Sequence, residues 1–160
     1  MLMRKRAWDI VREDYVRVKR ESSLVEVMRL LLDCLKSGDG CLCALVFEGA
    51  HLLGAISVWD AVRFMHATLR QAGLTREADE VDFEDLFRVA CRVGADTKVT
   101  EIMDTAYTEL SPDLPIPLIM EKFVKKGRDC AVVKEGARVL GVILIQDIFV
   151  ELTEAVRIRV

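Results

Sequence analysis

The chain has 160 residues, with 23 Lys and Arg against 26 Asp and Glu and a formal net charge of -3, a balance that argues against a general nucleic-acid binder, which carries a basic field. Hydrophobic residues make up 52%, enough for one domain or for two small halves sharing a core. No apolar run approaches the roughly 18 residues of a membrane span, since the longest, Val139 to Ile145, is broken by Gly141.

The N-terminal Met1-Leu2-Met3-Arg4-Lys5-Arg6 is basic. Trp8-Asp9-Ile10-Val11-Arg12-Glu13-Asp14 follows where a signal peptide needs an apolar stretch, which places the chain in the cytoplasm. Leu24, Val27, Met28, Leu31 and Leu35 recur at helical spacing, and Ser23 with Glu26 reads as a capping box. Glycines in Ser37-Gly38-Asp39-Gly40 predict a loop. Two short apolar runs joined by Glu48-Gly49-Ala50 then predict a β-hairpin. A helix is predicted over 61–72, ended by Gly73, and Arg76 to Glu80 is charged and solvent-facing. Phe83, Leu86, Phe87 and Ala90 predict a further helix closed by Gly94, too short a segment to own a core. Ile116, Ile119, Met120, Phe123 and Val124 form another helical stripe, with Asp113 as N-cap, Pro115 and Pro117 in the first turn and Gly127 at the end. Glu135-Gly136-Ala137 marks a second hairpin turn, and a helix follows Asp147.

These elements are two copies of one strand-helix-strand-strand-helix unit. Ala44 to Gly54, displaced by 87 residues, lies on Ala131 to Gly141 with seven of eleven positions identical; Ile56 then falls on Ile143 and Asp60 on Asp147. A second block, displaced by 92, sets Asp9-Ile10-Val11 on Glu101-Ile102-Met103, Tyr15 on Tyr107 and Met28 on Met120. The difference places five extra residues in the first copy, around the 37–40 loop. The five cysteines, Cys34, Cys41, Cys43, Cys91 and Cys130, form no framework or CxxC spacing, and His51 and His66 complete no metal pattern, so the thiols read as reduced, buried small hydrophobes. The chain has no G-x-S-x-G, no Walker-type glycine loop and no clustered His with Cys or carboxylates, so it reads as a non-enzyme.

Thr100-Glu101-Ile102-Met103, Leu110-Ser111-Pro112-Asp113, Ala131-Val132-Val133 and above all Gly54-Ala55-Ile56-Ser57-Val58-Trp59-Asp60 resemble, in that repeated order, the motifs of the cystathionine-β-synthase (CBS) family. Gly141 to Asp147 matches the last of these in part. The resemblance spans nearly the whole chain and implies an α/β (α+β) fold of two pseudo-symmetric β-α-β-β-α CBS motifs packed sheet to sheet, with an inserted helix between them. Motif 1 would occupy 1–60 with its closing helix to about 73, the inserted linker and helix 74–97, and motif 2 98–160, together one Bateman module. The family's clefts take the Asp-bearing turn of one motif and the lead-in segment of the other, and bind AMP, ADP, ATP, S-adenosylmethionine or NAD(H). The implied role is a regulatory sensor of an adenosine-containing nucleotide, with no catalytic cofactor, acting as a homodimer on an effector protein in trans. The alternative is a dimerisation or protein-interaction module with degenerate nucleotide sites.

The chemistry of the signature can be argued beside the resemblance. An aspartate carboxylate accepts hydrogen bonds from both ribose hydroxyls. A Ser or Thr hydroxyl three residues earlier, where a strand turns into a helix, stands beside free N–H groups that suit a phosphate. Carried onto this chain, Asp60 would hold the ribose, Ser57 the phosphate side, and Ala55 the floor. Val99 and Met103 would flank adenine, with Arg128 near the base or phosphate edge and Arg63 able to pair with phosphate. Ser57 and Asp60 also read simply as a helix cap. Asp147 could hold a second ribose, but Leu144 and Val142 make its phosphate side apolar.

Overall fold

The computed structural model describes residues 4–38, 43–74, 77 and 79–158. Asp39 and Gly40 of the proposed loop, Cys41 and Arg76 lie outside the described residues. Two three-stranded sheets belong to two compact units, one of residues 16–105 and one of residues 1–15 with 106–160. These limits differ from the expected motif boundaries, because each copy of the repeat gives its lead-in segment to the other copy's unit.

In the first unit, β1 (Val16–Lys19) runs parallel to β2 (Cys43–Glu48), joined by α2 (Leu24–Ser37), and β2 pairs antiparallel with β3 (His51–Ser57). The predicted capping box starts α2: Ser23 Oγ accepts from Glu26 N–H at 3.3 Å and Glu26 Oε2 from Ser23 N–H at 3.2 Å. Gly38 in the left-handed region, φ 79°, ends it. Helix α3 (Val58–Gln71) starts three residues before the expected Ala61, directly from the end of β3, because Ser57 caps it. Helix α4 (Glu80–Asp96) packs on α3 and α2. It runs through Gly94 instead of stopping there, since a glycine inside a helix costs only about 1 kcal/mol and this one lies close to Leu24 and Met65.

The second unit repeats the pattern with β4 (Thr108–Leu110), α5 (Ile116–Lys126), β5 (Cys130–Glu135), β6 (Arg138–Leu144) and α6 (Ile145–Ile158). Even the irregularities repeat: the β2–β3 register shifts between Val46 and Phe47, and the β5–β6 register between Val133 and Lys134. Asp113 is not the cap of α5. Pro115 occupies that position, and the first helical N–H, of Ile116, is taken by the Lys5 carbonyl at 3.3 Å. The N-terminal segment supplies the acceptor that the sequence reading sought in Asp113.

The two cores match position for position. Val18, Leu24, Val27, Leu31, Ala44, Val46, Ile56, Ala61 and Val99 form one buried cluster. Leu110, Ile116, Ile119, Phe123, Ala131, Val133, Ile143, Ile148 and Ala7 form the other, in the same repeat order. Each large side chain among them contributes about 1.5–3 kcal/mol on burial. The last pair shows the exchange: Ala7, in the short helix α1 (Ala7–Ile10), completes the second copy's core, and Val99, in a single 3₁₀ turn over Val99–Glu101, completes the first's. Their amides bond equivalent carbonyls, Ala7 N–H to Leu114 O at 2.9 Å and Val99 N–H to Ser22 O at 2.8 Å. Lys5 adds an ion pair to the buried Glu151 of α6 at 2.8 Å, and the hydrogen bond between them holds the Lys5 ammonium above its usual range.

Candidate functional site

Strand β3 runs directly into α3, so Ser57 is at once the last strand residue and the helix N-cap. Its hydroxyl accepts from Asp60 N–H at 3.3 Å; in return Asp60 Oδ2 accepts from Ser57 N–H at 2.9 Å and from Ser57 Oγ–H at 3.2 Å. Both residues are buried, 4% and 7% exposed. The junction thus satisfies the Ser57 and Asp60 amides at the helix start while holding a carboxylate at the positive end of the α3 dipole. The capping role and a ligand role use the same geometry.

Residues 99–104 lie across this corner. Ala55 and Asp104 exchange backbone hydrogen bonds at 3.0 and 2.7 Å, so the lead-in of the second copy docks on β3 two residues before Ser57. The approach is close: a Cβ on Gly54 would stand 2.9 Å from the Asp104 carbonyl oxygen and 2.9 Å from Met103 Sδ. Glycine at the head of the signature is therefore required by packing. Ala55, Ser57, Asp60, Met103 and the exposed Arg63 all belong to this unit. Val99 belongs to it too, but it is wholly buried in the hydrophobic core, so its side chain does not flank a ligand. Met103 is half-buried against the same core. Arg128 and Asp147 lie in the other unit.

At the second junction β6 runs into α6, and Asp147 Oδ2 accepts from Leu144 N–H at 2.9 Å. Only half of the reciprocal cap exists, because Leu144 has no hydroxyl to return. Arg12 fills the remaining capacity: its Nε donates to both carboxylate oxygens, at 3.0 and 2.9 Å, and its Nη2 to Oδ1 at 2.6 Å. Sequence reasoning missed Arg12. The signal lay in the repeat, where the displacement by 92 sets Arg12 on Asp104 and opposite charges therefore occupy one position of the lead-in. Thr108 was missed as well; its hydroxyl is buried and unpartnered.

A third feature is apolar. Helices α2, α3 and α4 form an open apolar groove of about 690 Å³ lined by Val25, Met28, Leu32, Val62, Met65 and Phe87 among others. Met28 is 39%, Leu32 47%, Val62 54% and Phe87 54% exposed, so the helical stripe predicted as core is core only at Leu24, Val27 and Leu31. Among the described residues no group of three or more His, Cys, Asp or Glu is placed to hold a metal ion, and no helix is long and apolar enough to cross a membrane.

Residues 99–154 match the family model described as "CBS domain". No match was found among curated proteins. Solved structures similar over most of their length include an uncharacterized conserved protein from Pyrococcus horikoshii, 17% identical over 98% of this chain and 96% of that one with a TM-score of 0.68. A signal-transduction protein with CBS domains from Burkholderia ambifaria MC40-6 is 17% identical, covering 89% and 85%, with a TM-score of 0.65. The CBS domain pair of protein MJ0100, crystallised in complex with 5′-methylthioadenosine and S-adenosyl-L-methionine, is 16% identical over 94% and 98%, with a TM-score of 0.67. Residues 99–154 match the CBS-domain family, the first half of the chain repeats their architecture, and the protein has the fold of a tandem CBS-domain pair.

Proposed function

We propose that this protein is a non-catalytic regulatory module that binds an adenosine-containing ligand through the Ser57–Asp60 corner. The observation that carries the reading is that corner itself: a hydroxyl and a carboxylate, both buried, held against each other at a strand-to-helix junction. Asp60 would accept the ribose hydroxyls, and Ser57 with the first-turn amides of α3 would face the phosphate side. Ala55 and Met103 supply the apolar lining such a ligand needs, and Arg63 stands one turn into α3. The ligand bound by the MJ0100 domain pair supports the adenosyl class. Calorimetry against AMP, ADP, ATP, S-adenosylmethionine and NADH tests it, with one tight site per chain as the expected result. If none of them binds or raises the unfolding temperature at millimolar concentration, the interaction-module reading replaces this one.

The exposed apolar face of α2, α3 and α4 supports self-association as the route by which such a signal is passed on. Patches of this kind on soluble proteins mark contact surfaces, and a second copy would cover it with twofold symmetry. Met28→Glu combined with Val62→Glu is expected to halve the mass measured by light scattering, since both side chains lie on that face. A wild-type protein that is monomeric at high micromolar concentration refutes the dimer.

A further inference from the structure

We propose that Arg12 is a built-in occupant of the Asp147 carboxylate, which closes the ribose position of this second junction to a nucleoside. The inference rests on reading the Ser57–Asp60 corner as a ribose site, and it concerns that corner's repeat counterpart. In both copies the lead-in segment docks on the strand two residues before the signature's fourth position: Asp104 on Ala55, and Arg12 on Val142. At Ala55 the docking residue brings a carboxylate. At Val142 it brings a guanidinium, which grips Asp147 with three contacts between 2.6 and 3.0 Å.

Two features make this an occupant and not a passing surface pair. The first is fixation. Arg12 and Val142 exchange backbone hydrogen bonds at 2.8 and 3.0 Å, and a Cβ on Gly141 would stand only 2.0 Å from the Arg12 carbonyl oxygen. The backbone that carries the guanidinium is therefore seated directly on β6. The second is competition. Side-chain exposures are 31% for Arg12 and 15% for Asp147, so the pair is half-sheltered, and the guanidinium fork meets both carboxylate oxygens and adds an ion-pair attraction that a neutral ribose hydroxyl lacks. A ribose must displace the fork to reach the carboxylate. With Leu144 and Val142 offering hydrocarbon where Ser57 offers a hydroxyl, the ligand class suited to the opened junction is an uncharged nucleoside.

The test is a gain of binding, which a merely structural role for Arg12 would not produce. Adenosine is titrated into full-length Asp60→Ala and into Asp60→Ala/Arg12→Ala, with unfolding temperature as the folding control. The double variant is expected to bind adenosine about tenfold tighter or more, and a third change, Asp147→Asn, is expected to remove the gain. Arg12→Lys, which keeps the charge and loses the fork, is expected to give a smaller gain and serves if the alanine variant does not fold. Equal affinity with and without Arg12 overturns the proposal. If the wild type binds no adenosyl compound while the double variant binds adenosine, the Asp60 reading fails and the Arg12 proposal stands.

Discussion

Replacing Asp60 by alanine is expected to weaken adenine-nucleotide binding by about ten- to a hundredfold, since a charged acceptor contributes roughly 1.5–3 kcal/mol through its hydrogen bonds. Asp147→Ala is expected to change it by less than about threefold, because that carboxylate is already taken by Arg12 and only fractions of a kcal/mol are then at stake. The alanine at position 60 also removes the carboxylate half of the α3 capping box, a loss of about 0.5–1.5 kcal/mol of stability. Asp60→Asn separates the two effects. Asparagine keeps an oxygen for the Ser57 amide and so most of the cap, but it loses the charge. Calorimetry should find Asp60→Asn nearly as weak a binder as Asp60→Ala, with an unfolding temperature close to wild type. Equal losses of affinity from the Asp60 and Asp147 variants would show that the working site has been assigned to the wrong junction.

Gly141→Ala is expected to be among the most destabilising single methyl additions in the chain. The new Cβ would meet the Arg12 carbonyl oxygen at 2.0 Å and the Arg12 carbonyl carbon at 2.8 Å, and both are backbone atoms that no rotamer change can move. Relief requires the lead-in to lift from β6. That breaks both Arg12–Val142 hydrogen bonds, loosens the grip on Asp147, and draws Ala7 out of the second core. Overpacking of this severity costs about 3 kcal/mol or more, a fall of roughly 6–12 °C in unfolding temperature for a chain of this size. Gly136→Ala is the control. It sits in the hairpin turn at φ 62° with open space around it, so only the left-handed backbone is penalised, by about 1–2 kcal/mol. Thermal unfolding of the two variants side by side decides the matter. A smaller effect at 141 than at 136 would mean that the lead-in is not seated on β6 as described.

The repeat was legible because it is written in local signals. Glu48-Gly49-Ala50 and Glu135-Gly136-Ala137 demand a turn wherever they stand, and Gly49 and Gly136 both adopt φ near 60°. The spacing of Leu24, Val27 and Leu31 and of Ile116, Ile119 and Phe123 specifies helices with one buried face, and these became corresponding core positions. Ser57 and Asp60 were legible as a pair because a capping box needs only three residues of separation.

What tertiary structure alone decided involves segments far apart in sequence. Pro115 offers α5 no side-chain cap, and the first helical amide is taken by the Lys5 carbonyl of the distant N-terminal lead-in, so the local search for a cap chose Asp113. Val99 looked like a site residue because it precedes a family motif, yet the lead-in's docking turns its side chain into the core. Arg12 and Asp147 stand 135 residues apart, and neither has a sequence neighbour that announces the other. Hydrophobic periodicity and turn chemistry act over a few residues and can be read from the chain by itself. The exchange of lead-in segments, and the charge pairing it creates, depends on which strand each segment finds, and that is settled only when the units fold.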